Sequence, residues 1–349
     1  MAATDPSHRL LACQYLRTQL GALIKEVHGV RENRDIEPVH QARVASRRMR
    51  SALRMFAECF DAKLATLWRK RISRLTKGLG AARDLDVQIE FLEQFLAGLG
   101  EEDRRYRPGV ERLRLRLRQQ REAVQPKVIK TLDALDKGNV MAEMHGELEK
   151  ELFLLRHRAV PLQSPYVFAE AAEHIQACRR ELLAYEYALD NPQDAPGHHK
   201  MRIAAKRLRY TMEICEPAYE GRLGPAIKAV KRLQSLLGDI HDCDVWVEDV
   251  HLFIEKERRR TIDYFGHARP FNLLKPGLLR LLDERATHRE QTFVDLVAYW
   301  QQLQQKRLWD RLDTLLNASL DGSGAEDIDD QDGGMDAAQE ETDAHSADE

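Results

Sequence analysis

The chain has 349 residues, of which 32% are charged and only 7% aromatic, and its formal net charge at pH 7 is -3. This length suits one large domain or two smaller ones, and the composition is typical of a water-soluble helical protein. The five cysteines are scattered and lack metal-ligand spacing, which excludes a disulfide framework and indicates buried thiols in a reducing compartment. No apolar run is long enough to cross a membrane and no signal peptide opens the chain, so the sequence predicts a cytoplasmic protein.

The small net charge conceals a basic body and an acidic end. Residues 321–349 hold twelve Asp or Glu and no Lys or Arg. Residues 1–320 therefore carry 54 basic against 45 acidic side chains, a net charge of +9. A basic body of this kind points to a polyanionic partner.

Helical periodicity runs through the first half, and no convincing strand pattern appears. Helices are predicted over 8–30, 63–78, 84–97 and 141–158, and another begins at Pro38. One or two further helices are predicted within 104–136, with a break or kink at Pro126. The alternating stretch 112–121 (RLRLRLRQQR) is predicted to be helical because its surroundings are. Arg114, Arg118 and Arg121 would then share one side of a helix, where they either extend a basic surface or face solvent.

After a boundary at 160–165, the same series of helices starts again. Helices are predicted over 166–189, 223–237, 239–259 and 278–316, and another begins at His199. Irregular chain is predicted over 261–277. The result is two roughly four-helix units, over about 5–160 and 165–318. Residues 319–349 have almost no large apolar side chain and are predicted to be a disordered acidic tail, which either screens the basic body or only keeps the protein soluble.

A basic block occurs twice in the chain, at an offset of 159 residues. The first copy, VHQARVASRRMRSALRMF, begins at Val39, and the second, HHKMRIAAKRLRYTMEI, begins at His198. The matched pairs are His40 and His199, Arg43 and Arg202, Val44 and Ile203, Arg47 and Lys206, Arg48 and Arg207, and Arg50 and Arg209. A self-match at a fixed long period indicates one structural unit used twice.

On a helix, each copy of the block places its basic residues along one side and apolar residues along the other. The basic stripes are His40, Arg43, Arg47, Arg50 and Arg54 in the first copy, and His199, Arg202, Lys206 and Arg209 in the second. Like charges three and four positions apart repel each other on a helix, so each stripe is unfavourable unless an anion binds there. A merely solvated basic face is the alternative, and the duplication argues against it.

A second duplicated element follows, at an offset of 158 residues. GAARDLDV begins at Gly80 and GDIHDCDV begins at Gly238. Each glycine is predicted to end one helix, and the aspartate pairs, Asp84/Asp86 and Asp242/Asp244, to open the next. The carboxylates are interpreted as helix caps or as ion-pair partners of basic side chains, with a metal or acid–base site as the alternative. Upstream lie two further sets of cations: Lys70, Arg74 and Lys77, and then Lys228, Lys231 and Arg232.

These motifs resemble the conserved-histidine α-helical domain family, abbreviated CHAD, over residues 8–316. The resemblance rests on His40-x-x-Arg43-Val44-x-x-Arg47-Arg48, on its second copy, and on Gly-x-x-Arg/His-Asp-x-Asp-Val in both halves. It implies two four-helix units about a pseudo-twofold axis, with basic helix faces lining a central cavity or furrow. It also implies binding of inorganic polyphosphate and, in many members, association with polyphosphate granules. Some members are fused to a CYTH triphosphatase domain, and no such glutamate-rich strand domain is recognisable in this sequence.

Carried over by position, the resemblance implies a polyphosphate site to which both halves contribute. The first half supplies His40, Arg43, Arg47, Arg48, Arg50, Arg54, Lys70, Arg74, Lys77 and Arg83. The second supplies His199, Arg202, Lys206, Arg207, Arg209, Lys228, Lys231, Arg232 and His241. Lys206 replaces Arg47, and His241 replaces Arg83. Because lysine is a point charge where arginine forks to two oxygens, the second half is expected to hold phosphate less rigidly.

The predicted ligand is inorganic polyphosphate, since a chain of anions without bases calls for cations rather than stacking aromatics, and Tyr210 is the only aromatic residue near the charged side of either stripe. A nucleic acid is the second candidate ligand. A phosphoanhydride-processing enzyme is the third candidate, for which only the aspartate pairs offer carboxylates. His40 and His199 are ranked as phosphate ligands first, as buried structural residues second and as catalytic acids last. No catalytic residue, metal or cofactor is predicted, and the predicted location is the cytoplasm at polyphosphate granules, with other granule proteins as further partners.

Overall fold

The computed structural model describes residues 5–320, and within that range the fold consists of ten α-helices and four short 3-10 helices, without a strand. The first half contributes α1 (Pro6–Glu32), α2 (Glu37–Met55), α3 (Ala62–Gly98), α4 (Arg107–Lys137) and α5 (Val140–His157). The second contributes α6 (Pro165–Leu183), α7 (Ala195–Tyr219), α8 (Gly224–Phe265), α9 (Lys275–Gln305) and α10 (Leu308–Leu320). The predicted all-α class is confirmed. The acidic tail over 321–349, and the prediction made for it, lie outside the described residues.

The second five helices repeat the packing order of the first five. In the first half, α1 packs against α2 and α5, α2 against α3, and α3 against α4. In the second half, α6 packs against α7 and α10, α7 against α8, and α8 against α9. Each half thus contains five α-helices, where units of roughly four were predicted. The pseudo-twofold axis stays a prediction.

The prediction that Gly80 and Gly238 end helices is wrong, because each lies within one unbroken helix. Helix α3 runs for 37 residues and α8 for 42, so both glycines lie in helix interiors. The interpretation of the aspartates as helix caps is therefore wrong. A glycine inside a helix costs only about 1 kcal/mol relative to alanine, which the packing of a long helix readily offsets. The cap of α3 lies much earlier, where Asp61 accepts a hydrogen bond from the backbone N–H of Lys63 at 2.9 Å.

Helices α4 and α8 also differ in extent from their predictions. Helix α4 continues through Pro126 rather than breaking there, and it includes the whole alternating stretch 112–121. Helix α8 reaches Phe265, so the irregular chain predicted over 261–277 is confined to the segment before Lys275. The helical interpretation of the alternating stretch is confirmed.

Two hydrophobic cores hold the halves together. The larger core contains buried residues from all ten helices, among them Leu16, Met49, Leu208 and Leu296. The smaller one is formed by α3, α4, α8 and α9 and contains residues such as Leu92 and Trp246. Burying a leucine side chain contributes about 1.5–3 kcal/mol. Because both halves contribute to the same cores, α2 and α7 are held in a fixed arrangement relative to each other.

Two further observations concern membrane-spanning helices and the cysteine side chains. No helix within 5–320 combines the length and apolarity that a bilayer crossing requires. The five cysteines form no disulfide, and burial raises the pKa of Cys13, Cys59 and Cys243 to about 12. These three side chains are therefore protonated, buried thiols.

Candidate polyanion-binding site

Six basic side chains from α2, α7 and α8 come together, and we call them the inner cluster. Its members are Arg43, Arg47, His199, Arg202, Lys206 and His241. The two arginines of α2 belong to the first copy of the basic block, and the three residues of α7 to the second. The structure thus brings cations of both copies close to one another.

The ammonium group of Lys206 is the most perturbed cation of the inner cluster. Burial, followed by the charges of Arg202, Arg47 and Arg43, lowers the pKa of Lys206 to about 6. Asp242 acts in the opposite direction and does not compensate. Cations from both halves therefore repel the same amine, and at neutral pH this amine is mainly uncharged.

The two histidines of the inner cluster are held neutral by the same forces. The rings of His199 and His241 lie 4.6 Å apart, centroid to centroid. Burial, followed by Arg202 and then by the other neighbouring cations, lowers the pKa of His241 to about 4. Burial, Arg202 and Lys206 also lower the pKa of His199. An anion placed against these rings would favour their protonated, hydrogen-bond-donating forms.

The first aspartate of each pair contacts an arginine of the inner cluster. Arg43 Nη2 lies 3.6 Å from Asp84 Oδ1, and Arg202 Nη2 lies 4.0 Å from Asp242 Oδ1. Arg43 also packs directly over Gly80, where a Cβ atom would reach 3.6 Å from its Nε. The glycine and aspartate of this motif therefore position the arginine side chain from the neighbouring helix.

The second aspartate of each pair binds an arginine that sequence reasoning did not assign to it. Arg121 Nε donates to Asp86 Oδ1 at 2.6 Å, and Arg289 Nε donates to Asp244 Oδ1 at 2.5 Å. These arginines are 168 residues apart, whereas the aspartates are 158 apart, so a search at one fixed offset misses them. The dipeptide Pro-Gly occurs at 108 and again at 276, which is the same offset of 168. This second repeat could have identified Arg121 and Arg289 as equivalent residues. The ion-pair interpretation of the aspartates is confirmed for all four.

Tyr210 and Glu213 join the two basic helices. The guanidinium groups of Arg47 and Arg209 lie 5.3 Å and 4.9 Å from the centroid of the Tyr210 ring, which is only 5% exposed. Glu213 binds Arg48 at 3.3 Å and Arg209 at 3.5 Å. The tyrosine is thus enclosed between cations of both halves, and its ring faces are not open for stacking on a base.

Three further predicted contacts, His40, Arg50 and Arg83, are buried or half-buried and are not members of the inner cluster. His40 and Arg83 are 8% and 1% exposed, and the Nε and Nη1 atoms of Arg83 have no hydrogen-bond partner within residues 5–320. Burial, followed by the charge of Arg54, lowers the pKa of Arg50. The neighbouring His198, in contrast, is a structural residue whose Nε2–H donates to the Ala188 carbonyl at 2.9 Å.

The remaining predicted contacts are exposed. They are Arg54, Lys70, Arg74, Lys77, Arg207, Lys228, Lys231 and Arg232. Arg207 donates to Glu181 on α6 at 2.6 Å and lies about 100° around α7 from Lys206. Arg232 lies over the ring of Tyr299, 4.6 Å from its centroid. The structure therefore separates the predicted residues into a buried or half-buried group, which includes the inner cluster, and a solvent-facing group.

Comparison with known proteins identifies relatives of this chain. The family model for the CHAD domain matches residues 14–251. Two uncharacterized proteins of Mycobacterium tuberculosis, from strains CDC 1551 and H37Rv, are each 29% identical over 253 residues, which cover 68% of this chain and 43% of theirs. The chain therefore spans less than half the length of these curated relatives.

Two solved structures share the fold. The crystal structure of the CHAD domain from the plant Ricinus communis has a TM-score of 0.55 and 23% identity, and the match covers 81% of this chain and 91% of that one. The structure of PptA from Streptomyces chartreusis also has a TM-score of 0.55, with 16% identity and coverage of 85% and 100%. At these identities the likeness supports the fold alone.

Proposed function

This chain belongs to the CHAD domain family, and we propose that it binds inorganic polyphosphate through the inner cluster. Burial, followed by the charges of Arg202, Arg47 and Arg43, lowers the pKa of Lys206 to about 6. The observation that carries the proposal is the convergence of these three arginines, from both halves, on that amine, which is a local excess of positive charge. Such an excess destabilises the protein by itself and is relieved by a bound polyanion. The family's association with polyphosphate supplies the chemical class of that anion.

The chemistry of the inner cluster suits phosphate oxygens better than bases. Arginines offer forked donors to two oxygens, and a phosphate chain presents such oxygens at every unit. A single-stranded nucleic acid adds base stacking on aromatic rings, and Tyr210 is already enclosed by Arg47 and Arg209. Polyphosphate is therefore the favoured ligand over nucleic acid.

We infer a binding role rather than a catalytic one. Each of the four aspartates that were candidates for acid–base or metal chemistry contacts an arginine, at 2.5 to 4.0 Å. A carboxylate that is ion-paired with a guanidinium group has oxygens already engaged, so it is a poor candidate for a metal ligand or for proton transfer to a substrate. If the ligand is polyphosphate, the expected location is a cytoplasmic polyphosphate granule, with other granule proteins as neighbours.

The test of this function is a double substitution in the inner cluster. Arg43→Gln with Arg47→Gln should weaken binding of long-chain polyphosphate by well over tenfold, because each lost cation removes a contact and the counterion release that accompanies it. The matched control is Arg258→Gln with Arg259→Gln, which removes the same charge from exposed positions on α8. Affinity is measured by calorimetric titration, and helicity by circular dichroism. Full affinity in the inner variant would contradict the assignment.

A competition measurement separates the two candidate ligands. Labelled polyphosphate is displaced from the wild-type chain with unlabelled polyphosphate or with single-stranded DNA of equal charge at physiological salt. We expect polyphosphate to be the stronger competitor. Equal or stronger competition by DNA would assign the inner cluster to nucleic acid instead.

A further inference from the structure

A second group of cations lines a surface groove between α3 and α4, which we call the outer groove. It has a volume of about 360 Å³ and is lined by Arg71, Arg74, Lys127, Lys130, Thr131, Ala134 and Leu135. The lining thus contains four basic residues and neither an acidic nor an aromatic one. None of the four basic side chains forms an ion pair within residues 5–320. Three of them (Arg71, Lys127 and Lys130) belong to no motif singled out in the sequence.

In the second half of the chain, the residues equivalent to the outer groove do not enclose an open space. By the offsets of 158 and 168 residues, Arg71 corresponds to Ala229 and Thr131 corresponds to Tyr299. The Tyr299 hydroxyl donates to the Ala229 carbonyl at 3.0 Å, and its ring lies beneath Arg232. In the second half a tyrosine therefore covers the space that is open in the first half.

The charges differ between the halves in the same way. Lys127 corresponds to Asp295, and Lys130 corresponds to Ala298. Of the four cations in the outer groove, only Arg74 has a basic counterpart, which is Arg232. The concentration of positive charge is therefore a property of the first half alone and does not follow from the repeated architecture.

A line of cations connects the outer groove to the inner cluster around α3. At about 100° per residue, the side chains follow each other around the helix over about 180° in the order Gly80, Lys77, Lys70, Arg74 and Arg71. Gly80 lies under Arg43 of the inner cluster, and Arg71 lines the outer groove. Lys70 and Lys77 are exposed between them. The line extends over about 15 Å along the helix axis, from Lys70 to Gly80, at about 1.5 Å rise per residue.

We propose that the outer groove is a second phosphate-binding site, which holds the same polyphosphate chain after it has left the inner cluster and crossed α3. This inference rests on the proposed function. A chain too short to cross α3 binds at the inner cluster only, whereas a long chain binds at both places at once. The second contact is then intramolecular and raises the affinity for long chains selectively. The absence of aromatic side chains from the groove favours phosphates over bases as its ligand.

The experiment compares short and long ligands on variants of the full chain. The groove variant carries Arg71→Gln, Lys127→Gln and Lys130→Gln. The matched control carries Lys256→Gln, Arg258→Gln and Arg259→Gln, which removes three exposed charges from α8. The ligands are tripolyphosphate, polyphosphate of about 100 units, and single-stranded DNA of matched charge, and affinity is measured by calorimetric titration, with circular dichroism to check folding.

We expect the groove variant to bind the long polyphosphate about tenfold more weakly, as the loss of three ion contacts at a protein surface predicts, with tripolyphosphate affinity unchanged. The control should change either affinity by less than about twofold, because surface charges far from the ligand are screened. Equal loss of long-chain affinity in the groove variant and the control, or no loss in either, overturns the inference. A larger loss for DNA than for polyphosphate assigns the groove to nucleic acid and overturns it as well.

The wild-type measurements keep the two proposals apart. If the wild-type chain binds neither phosphate ligand, the proposed function and this inference both fail. If it binds them and the groove variant binds the long chain equally well, only the inference fails. If the variant carrying Arg43→Gln and Arg47→Gln loses both ligands while the groove variant loses affinity for the long chain alone, both are supported.

Discussion

At the residue scale, the titratable groups of the inner cluster make the proposed polyphosphate binding dependent on protonation. Burial and neighbouring cations lower the pKa of Lys206 to about 6 and that of His241 to about 4. Both groups are therefore mainly neutral in the unbound protein at pH 7.5. A polyanion stabilises their charged forms and raises both pKa values, so binding takes up protons.

This proton uptake makes affinity fall as pH rises. Above pH 6 the unbound Lys206 is mainly deprotonated, so ligand binding must take up a proton from solution. The proton concentration falls as pH rises, which makes this uptake less favourable. We expect the polyphosphate affinity to decrease from pH 6 towards pH 9. Calorimetric titrations in two buffers of different ionisation enthalpy measure the protons taken up at pH 7.5. The Lys206→Arg variant keeps a positive charge that does not titrate in this range, so it should take up fewer protons on binding polyphosphate, by up to one. An unchanged proton uptake would contradict the protonation of Lys206 on binding.

At the scale of helices, α4 and α9 fix the two halves against each other. Both carry Pro-Gly in their first turn, and each glycine faces the backbone of the other half. A Cβ atom at Gly109 would overlap the Leu274 carbonyl oxygen, and one at Gly277 would overlap the Tyr106 carbonyl oxygen. These close approaches require glycine and adjoin the smaller hydrophobic core.

Alanine at this contact should loosen the attachment of the halves. We expect Gly109→Ala to lower the free energy of unfolding by about 1–3 kcal/mol, as overpacking against a backbone does. The control is Gly146→Ala on α5, where no atom lies within 4 Å of the added Cβ. That change should stabilise the chain by about 0.5–1 kcal/mol through helix propensity. Urea denaturation measures both, and a Gly109→Ala variant as stable as the wild type would refute the close contact.

At the scale of the whole molecule, the two copies of the basic block act on one place. After burial, Arg202 from α7 and then Arg47 and Arg43 from α2 all lower the pKa of Lys206. Two separate sites, one in each half, would not produce this mutual effect. The proposed polyphosphate site is therefore shared, and neither half contains it alone.

A double-mutant cycle tests the shared site. Arg43→Gln and Arg202→Gln should each weaken one and the same high-affinity site for tripolyphosphate. Their combined effect should depart from the sum by at least about 0.5 kcal/mol, because they interact with the same ligand and with each other. The control cycle pairs Arg43→Gln with Arg258→Gln, which should be additive. Two independent sites, each affected by one substitution only, would disprove the shared arrangement.

The sequence by itself determined the class of fold and the identity of the basic residues. Helical periodicity depends on neighbours three and four positions apart, so it is readable without tertiary structure. The repeat at an offset of 159 placed His40 opposite His199 in the alignment, and Arg43 opposite Arg202. Family resemblance then supplied the class of the proposed ligand, and the CHAD assignment is confirmed.

Only the tertiary structure decided how far the helices extend and what the charged residues contact. Gly80 and Gly238 resemble helix ends locally, yet packing along α3 and α8 carries both helices through them. Arg121 and Arg289 find Asp86 and Asp244 across the fold, at separations that no local pattern contains. Burial, which depresses the pKa of Lys206, and the open space between α3 and α4 likewise arise from residues distant in sequence. Contacts between helices depend on which helix faces pack against each other, and the local patterns of the sequence do not show this.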